Sequence, residues 1–199
     1  MRADARKRRE HIITTTCELY RTHHHDSLTM DNIAEAAGVG IATLYRNFPD
    51  RFALDMACAH YLFTVVISWQ EQAINTFPTN PARVWTSFNQ TLFDKGLGSL
   101  VPALAPESLD ELPEDISALR QTTEDNIATL IGLAKEQGLV HANITPGTYI
   151  LGLITISRPP ITALATISTN SHAPLLGLYL SGLKHGAMAT SIGKHDEHP

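Results

Sequence analysis

Six outward-facing side chains in a short helical segment, IATLYRN, could contact a partner molecule through hydrogen bonds and small apolar patches. Leu44 within the segment and Phe48 just after it are four residues apart, so they share one inward face of a helix. Small residues allow close approach, hydroxyls and amides bind phosphate oxygens, and an arginine can reach the paired acceptors of a guanine edge. This mixture suits the major groove of double-stranded DNA. The outward residues are Ile41, Ala42, Thr43, Tyr45, Arg46 and Asn47.

Such a helix is barely two turns long and needs a second element to hold it. The preceding residues supply one, because Thr29 can cap a helix and Asp31 places negative charge at its positive end. Gly38 fits the left-handed position that stops a helix, and Pro49 closes the unit. Residues 29–52 therefore predict two short helices joined by a tight turn, the layout of a helix-turn-helix. The apolar face of the first helix consists of Met30, Ile33, Ala34 and Ala37.

At these positions the chain resembles the TetR family of transcriptional repressors. The resemblance is specific over residues 6–61 and is only one of layout beyond them. It implies an all-α homodimer with an N-terminal DNA-binding domain and a C-terminal domain that encloses a small-molecule pocket, whose ligand releases the DNA. The matching residues are Thr29, Ile33-Ala34, Ala37-Gly38-Val39, Thr43-Leu44-Tyr45 and Phe48, preceded by Ile12, Ile13, Cys17, Leu19 and Tyr20 and followed by Leu54.

Roles carried over by this resemblance divide the site residues into two groups. The base-facing positions are Ile41, Ala42 and Arg46, and hydrogen-bonded readout rests on Arg46, since the other two can only contact thymine methyls or sugars. Gly40 and Phe52 depart from the family's common residues, a serine and an acidic residue. The positions implied to contact phosphate are Thr29, Thr43, Tyr45, Asn47 and Arg51.

Charge is distributed unevenly along the chain. Residues 1–52 carry eight Lys/Arg against seven acids, whereas the remainder brings the whole chain to −5. Five of the basic residues lie in the first nine positions, which predicts an arm that binds phosphates or the minor groove and is disordered without DNA. A frayed, solvated terminus is the alternative. An acidic pI near 6.0 does not exclude DNA binding, because the local patch decides it.

Composition predicts a cytoplasmic protein without a membrane partner. The 199 residues are 43% hydrophobic and can bury a substantial core. Cys17 and Cys58 lie in apolar helical patterns and are expected to be reduced thiols. The charged N-terminus predicts no signal peptide. The longest charge-free stretch, 159–183, is interrupted by prolines and polar residues, so we expect no membrane span.

The remaining sequence predicts helices over residues 51–74, from about residue 81, and over 113–137, with irregular or short helical pieces over 95–113. Aromatic residues at helical spacing, with a few polar neighbours, predict an apolar ligand pocket. For any single aromatic residue, ordinary core packing is the stronger expectation. The predicted pocket residues are Phe63, Trp69, Trp85, Phe88, Asn89, Arg120 and Thr123.

Two further helices, 146–157 and 174–189, are apolar on nearly all sides. A helix of that kind must be covered on all sides, which favours a homodimer that reads a pseudo-palindromic operator. Interior helices of a monomer are the alternative. The predicted interface residues are Leu151, Ile154, Leu176, Tyr179, Leu180 and Leu183.

These observations predict an all-α protein. Residues 6–66 form an N-terminal three-helix helix-turn-helix domain that includes the start of a linking fourth helix, and residues 67–199 form a C-terminal helical ligand-binding and dimerisation domain. The predicted function is a dimeric repressor released from DNA by a small apolar or amphipathic effector. A regulator of the same fold without an effector is the first alternative, and a small α-helical enzyme or metal-binding protein is the weaker one.

No cofactor, metal site or catalytic residue is predicted. No nucleophile–base pair and no Gly-rich phosphate loop is recognisable. The three histidines at positions 23–25 diverge along the chain and do not supply the four convergent ligands of structural zinc. Opportunistic metal binding by this triplet is a minor alternative.

Overall fold

The computed structural model describes residues 2–23, 25–106, 108–158 and 172–186, and within them every regular element is a helix. The helices are α1 (Arg2–Thr22), α2 (Met30–Ala36), α3 (Ile41–Asn47), α4 (Arg51–Thr76), α5 (Pro81–Asp94), α6 (Leu97–Leu104), α7 (Glu114–Glu136), α8 (Pro146–Ile156) and α9 (His172–His185). Single 3₁₀ turns lie at His25–Ser27, Phe77–Thr79 and Leu109–Glu111. The all-α prediction is confirmed.

The helix-turn-helix begins and ends where its caps require. Thr29 accepts a hydrogen bond from Asn32 N (3.2 Å), while Asn32 Oδ1 accepts one from Thr29 N (3.0 Å), so the cap is reciprocal. Gly38 has φ +62°, the left-handed conformation expected at the end of α2. Leu44 and Phe48 are buried as predicted and hold α3 against the domain core. Asp50 then caps α4 by accepting from Ala53 N at 2.7 Å.

The basic N-terminal residues differ from the prediction, because α1 already begins at Arg2 and the expected disordered arm is helical. The guanidinium of Arg9 lies 4.7 Å from the ring centroid of Phe48, a cation–π contact that joins α1 to the end of α3. Arg6 pairs with Glu10 across one turn at 3.5 Å. These contacts favour the helical conformation of the arm.

α4 contributes residues to both apolar cores of the described chain. Its first half packs with α1–α3 and, from further along the chain, with Leu100 and Leu104 of α6 and Ile116 of α7. Its second half packs with α5, α7, α8 and α9. By length and composition the stretch Arg51–Thr79 could cross a membrane, but this is weak evidence, since the core helix of a folded protein passes the same test. Here α4 packs most extensively against α7.

Helix α8 packs closely against both α6 and α9. A Cβ at Gly98 of α6 would lie 2.4 Å from the backbone of Ser157 and Arg158, so only glycine allows α6 to approach the end of α8. Tyr179 of α9 lies against Gly152 of α8 and donates a hydrogen bond to the carbonyl of Tyr149. The predicted helix over 174–189 is described as far as His185, and residues 187–189 lie outside the described residues.

Candidate nucleic-acid interface and ligand cavity

α3 presents a continuous exposed face. Ile41 and Tyr45 are 36% and 47% exposed, and Ala42 and Arg46 are also exposed. Arg46 donates a hydrogen bond to the Thr43 hydroxyl at 2.8 Å, which holds its guanidinium on the helix surface. All four side chains are therefore free of the core and available to a groove.

Three of the residues expected to contact phosphate differ in exposure, and each already makes a hydrogen bond within the protein. Thr43 is half-buried and its hydroxyl accepts from Arg46. Asn47 is also half-buried, with its amide donating to the carbonyl of Thr43 at 2.8 Å. Thr29 is exposed, but its hydroxyl donates to Asn32 Oδ1 at 2.8 Å, so a phosphate would have to compete with the cap.

Arg51 does not fit its expected role as a phosphate contact. Its guanidinium donates to the carbonyls of Leu28 (2.6 Å) and His25 (3.3 Å) and to the carboxylate of Asp55 (3.2 Å), and it lies over the ring of Tyr20. These partners use Nε and both terminal nitrogens within the protein. Arg51 thus ties the loop before α2 to the first turn of α4.

Asp55 is the centre of this group and was missed in the sequence. It is 8% exposed and accepts from Tyr20 Oη and Arg51, while His25 Nε2 lies 2.9 Å from its second oxygen. Burial and the Asp55 hydrogen bond raise the pKa of Tyr20 well above its ordinary value. The spacing of Arg51 and Asp55, one helical turn apart, was the available signal. We call Tyr20, His25, Arg51 and Asp55 the α4 clamp.

A cavity of about 280 Å³ lies between α4, α6, α7 and α8. Three of the predicted pocket residues line it, namely Phe63, Arg120 and Thr123. Most of the remaining wall is aliphatic and comes from all four helices, and Leu92 of α5 closes one side. Ile154, predicted at the dimer interface, belongs to this wall instead.

The other predicted pocket residues lie elsewhere. Trp69 and Phe88 line a separate, more open groove of about 320 Å³ between α4 and α5. Trp85 and Asn89 line neither space, because both are buried in the C-terminal core. Asn89 Oδ1 accepts from Tyr149 Oη at 2.9 Å, and its amide donates to the carbonyl of Trp85. These two residues have a structural role that aromatic spacing alone does not distinguish from pocket lining.

The exposed leucines of α8 and α9 are not all the ones predicted for the dimer interface. Leu176 and Leu183 are 2% and 4% exposed because they pack into the protomer's own core, so they have little area left for a partner. Tyr179 and Leu180 are half-buried. The leucines that remain uncovered are Leu151, Leu175 and Leu178, exposed by 67%, 42% and 71%.

The two cysteines are buried thiols, as the sequence predicts. Cys17 of α1 and Cys58 of α4 are free. Their mutual hydrogen bond and burial raise the pKa of Cys58 well above its ordinary value. Among the described residues no three His, Cys, Asp or Glu side chains converge as metal ligands, and His24 of the histidine triplet lies outside that set.

Comparison with protein families matches both halves of the chain. The model for bacterial regulatory proteins of the TetR family matches residues 12–54, and the model for the C-terminal domain of SbtR-like transcriptional regulators matches residues 80–185. The chain belongs to the TetR family of transcriptional regulators.

Solved TetR-family structures share its fold over most of the chain. A TetR regulatory protein from Mycobacterium vanbaalenii is 21% identical, with a TM-score of 0.60 over 92% of this chain and 98% of its own. The fatty acid degradation regulator FadR from Bacillus halodurans is 16% identical, with a TM-score of 0.61 over 90% and 99%. No curated protein matches the sequence. At these identities the structural likeness supports the TetR fold alone.

Proposed function

We propose that this TetR-family regulator is a cytoplasmic homodimeric repressor that is released from its operator by a small apolar or amphipathic effector. The cavity between α4 and α7 is the observation that carries the proposal. Helix α4 lines it with Ala59, Phe63 and Gln70, and the first turn of the same helix carries Arg51 and Asp55. A ligand that shifts α4 at the cavity therefore also moves the helix-turn-helix.

The two proposed domains meet within α4. Residues 6–66 form the proposed DNA-binding domain, which also contributes Ala59 and Phe63 to the cavity wall, and residues 67–199 form the proposed effector-binding and dimerisation domain. Because α4 is one uninterrupted helix across position 66, it transmits displacement as a lever. The α4 clamp makes the coupling stiff, since Arg51 holds the carbonyls of His25 and Leu28 just before α2. An effector then favours a spacing of the two recognition helices that does not fit the operator.

α3 is the proposed recognition helix. Arg46 reads a guanine, and exposed Ile41 and Ala42 contact thymine methyls or sugars. Thr29, Thr43, Tyr45 and Asn47 contact phosphates, whereas Arg51 is left out of this set because each of its three nitrogens already donates to a partner inside the protein. With one strong base-reading donor per subunit, specificity rests also on DNA shape and on the spacing of two half-sites.

The proposed dimer forms through α8 and α9. Leu151, Leu175 and Leu178 leave an apolar surface on these adjacent helices. A twofold dimer covers the same patch on both subunits and places two copies of α3 on one side. The half-buried Tyr179 and Leu180 lie at the margin of the patch, on the helix that carries Leu178.

DNA selection tests the regulatory role. Purified protein is incubated with fragments of its source genome, and the retained fragments are compared with random duplexes at several salt concentrations. We expect a pseudo-palindromic site, an affinity at least 10³-fold above random DNA, and a steep loss of binding with salt. Equal binding to all fragments contradicts the proposal. Specific binding that no cavity ligand alters supports the effector-free alternative instead.

A further inference from the structure

The cavity has one polar corner, formed where α4 meets α7. Gln70 comes from α4, and Arg120, Thr123 and Glu124 come from α7. Gln70 is fully buried; its amide donates to the carbonyl of Thr123 at 3.2 Å, and its oxygen accepts from Asn126 at 3.3 Å. The Thr123 hydroxyl donates to the carbonyl of Leu119. Gln70 Nε2 and the Thr123 hydroxyl thus each already donate a hydrogen bond within the protein.

Arg120 is the exception. One terminal nitrogen donates to Glu124, one helical turn away, but the buried Nε–H has no acceptor among the described residues. A buried donor without an acceptor is costly, and few are tolerated in folded proteins. Nε is therefore the one side-chain nitrogen of the polar corner that is buried without a partner among the described residues, and an acceptor that enters the cavity and displaces its cover would satisfy it.

The charge of Arg120 is already compensated. Glu124 is exposed and lines the cavity with Arg120, which places this ion pair at the cavity's outer side. An anionic ligand that reached Nε would bring a second negative charge close to the Glu124 carboxylate, and it would lose its own hydration. A neutral oxygen accepts the Nε–H without either cost.

We infer that the effector is an uncharged amphipathic molecule with one strong hydrogen-bond acceptor, such as a ketone or ester carbonyl, that accepts the Arg120 Nε–H. Its apolar body extends toward the buried side chains of Val66, Leu97 and Ile127. An apolar cavity of about 150 Å³ holds benzene, so about 280 Å³ has room for roughly eleven non-hydrogen atoms. This inference rests on the proposed effector site and specifies its ligand.

Three probes with the same phenyl-C4 body separate the possibilities. They are 4-phenyl-2-butanone, which carries a neutral carbonyl, 4-phenylbutanoate, which is ionised at pH 7, and butylbenzene, which has no acceptor. Binding to the full-length protein is measured by calorimetry, for the wild type, Arg120→Met and Glu124→Gln. Arg120→Met keeps the length of the side chain and removes the donor, and thermal melting verifies that each variant is folded.

We expect Arg120→Met to weaken binding of the ketone about tenfold or more, the equivalent of one hydrogen bond to a charged donor, and to leave butylbenzene unchanged or tighter. Glu124→Gln should strengthen binding of 4-phenylbutanoate relative to the ketone, because the opposing carboxylate is gone. In the wild type the ketone should bind more tightly than 4-phenylbutanoate. If Arg120→Met does not fold, the comparison of wild type with Glu124→Gln still decides the question.

Two results overturn the inference while leaving the effector cavity intact. One is an equal change for ketone and hydrocarbon in Arg120→Met, which would mean that Nε does not read the ligand. The other is tighter binding of 4-phenylbutanoate than of the ketone by the wild type. Absence of binding by all three probes overturns the inference and also contradicts the proposed effector site.

Discussion

Replacing Arg51 by methionine tests the assignment of this residue to the α4 clamp rather than to DNA. The guanidinium makes three hydrogen bonds, to the Asp55 carboxylate and to two backbone carbonyls, and its removal leaves Asp55 with only Tyr20 and His25. Hydrogen bonds to charged groups contribute about 1.5–3 kcal/mol each when intact, and they are not additive. Arg51 is about one-quarter exposed, so solvent offsets part of the loss.

We therefore expect Arg51→Met to lower the free energy of unfolding by about 2–4 kcal/mol. For a chain of this length, that corresponds to a fall in melting temperature of roughly 4–16 °C. The assay is thermal or urea denaturation at one fixed protein concentration, because dimerisation would make stability depend on concentration.

Arg46→Met is the matched control, since Arg46 is exposed and its only described hydrogen bond is to Thr43 on the same helix. It should change stability by less than about 0.5 kcal/mol and reduce discrimination at a guanine by about 1–3 kcal/mol. The assignment of Arg51 to the α4 clamp is refuted if Arg51→Met has the same melting temperature as the wild type and instead weakens binding to all DNA sequences equally. That result would return Arg51 to the phosphate contacts.

Further substitutions test the packing, the dimer surface and the buried tyrosines. Gly98→Ala should destabilise the protein by about 1–3 kcal/mol in a urea titration, because its Cβ would lie 2.4 Å from the end of α8. Gly132→Ala is the control and should be neutral or stabilising, because the space around Gly132 is open. Equal effects of the two substitutions would contradict the close packing of α6 on α8. Leu178→Glu should convert the proposed dimer to a monomer, as measured by light scattering. Phe52→Glu is the control and should not, because Phe52 is also exposed but lies near the helix-turn-helix. A dimer that persists in both variants would place the interface elsewhere. Burial raises the pKa of Tyr20, Tyr149 and Tyr179, and for Tyr20 the hydrogen bond to Asp55 raises it further. Unfolded tyrosine ionises at about pH 10. The stability that these three neutral side chains contribute is therefore fully present below about pH 10 and is lost as the pH rises above it. Absorbance titration should show that Tyr20, Tyr149 and Tyr179 ionise only as the protein unfolds; ionisation of these three near pH 10 with the fold intact would contradict the burial.

Local sequence patterns were sufficient for the helix-turn-helix because its determinants are close in sequence. The Thr29 cap, the left-handed Gly38 and the inward pair Leu44 and Phe48 act over a few residues, and all are as predicted. Prolines and caps likewise placed the start of α5 and the bounds of α7.

The sequence predictions were wrong where the contacting residues are far apart in sequence, or where a helix is apolar on most sides and its pattern does not show which side faces the core. The carbonyls bound by Arg51 lie 23 and 26 residues away in sequence, so no local signal identifies them. Helix α9 is apolar on most sides, and its periodicity therefore could not show that Leu176 faces the core while Leu178 faces outward. Trp85 has the same spacing as true cavity residues but lies in the core beside Tyr149.

The central claim is that occupation of the cavity controls DNA binding, and operator affinity with and without a saturating cavity ligand tests it most directly. The ligand is the compound from a small apolar library that raises the melting temperature most and loses its effect in Arg120→Met. We predict that saturation weakens operator binding about 5- to 150-fold, with an equal loss of ligand affinity on the DNA-bound protein, because coupling between two sites is reciprocal. An operator affinity unchanged by saturating ligand would contradict the account.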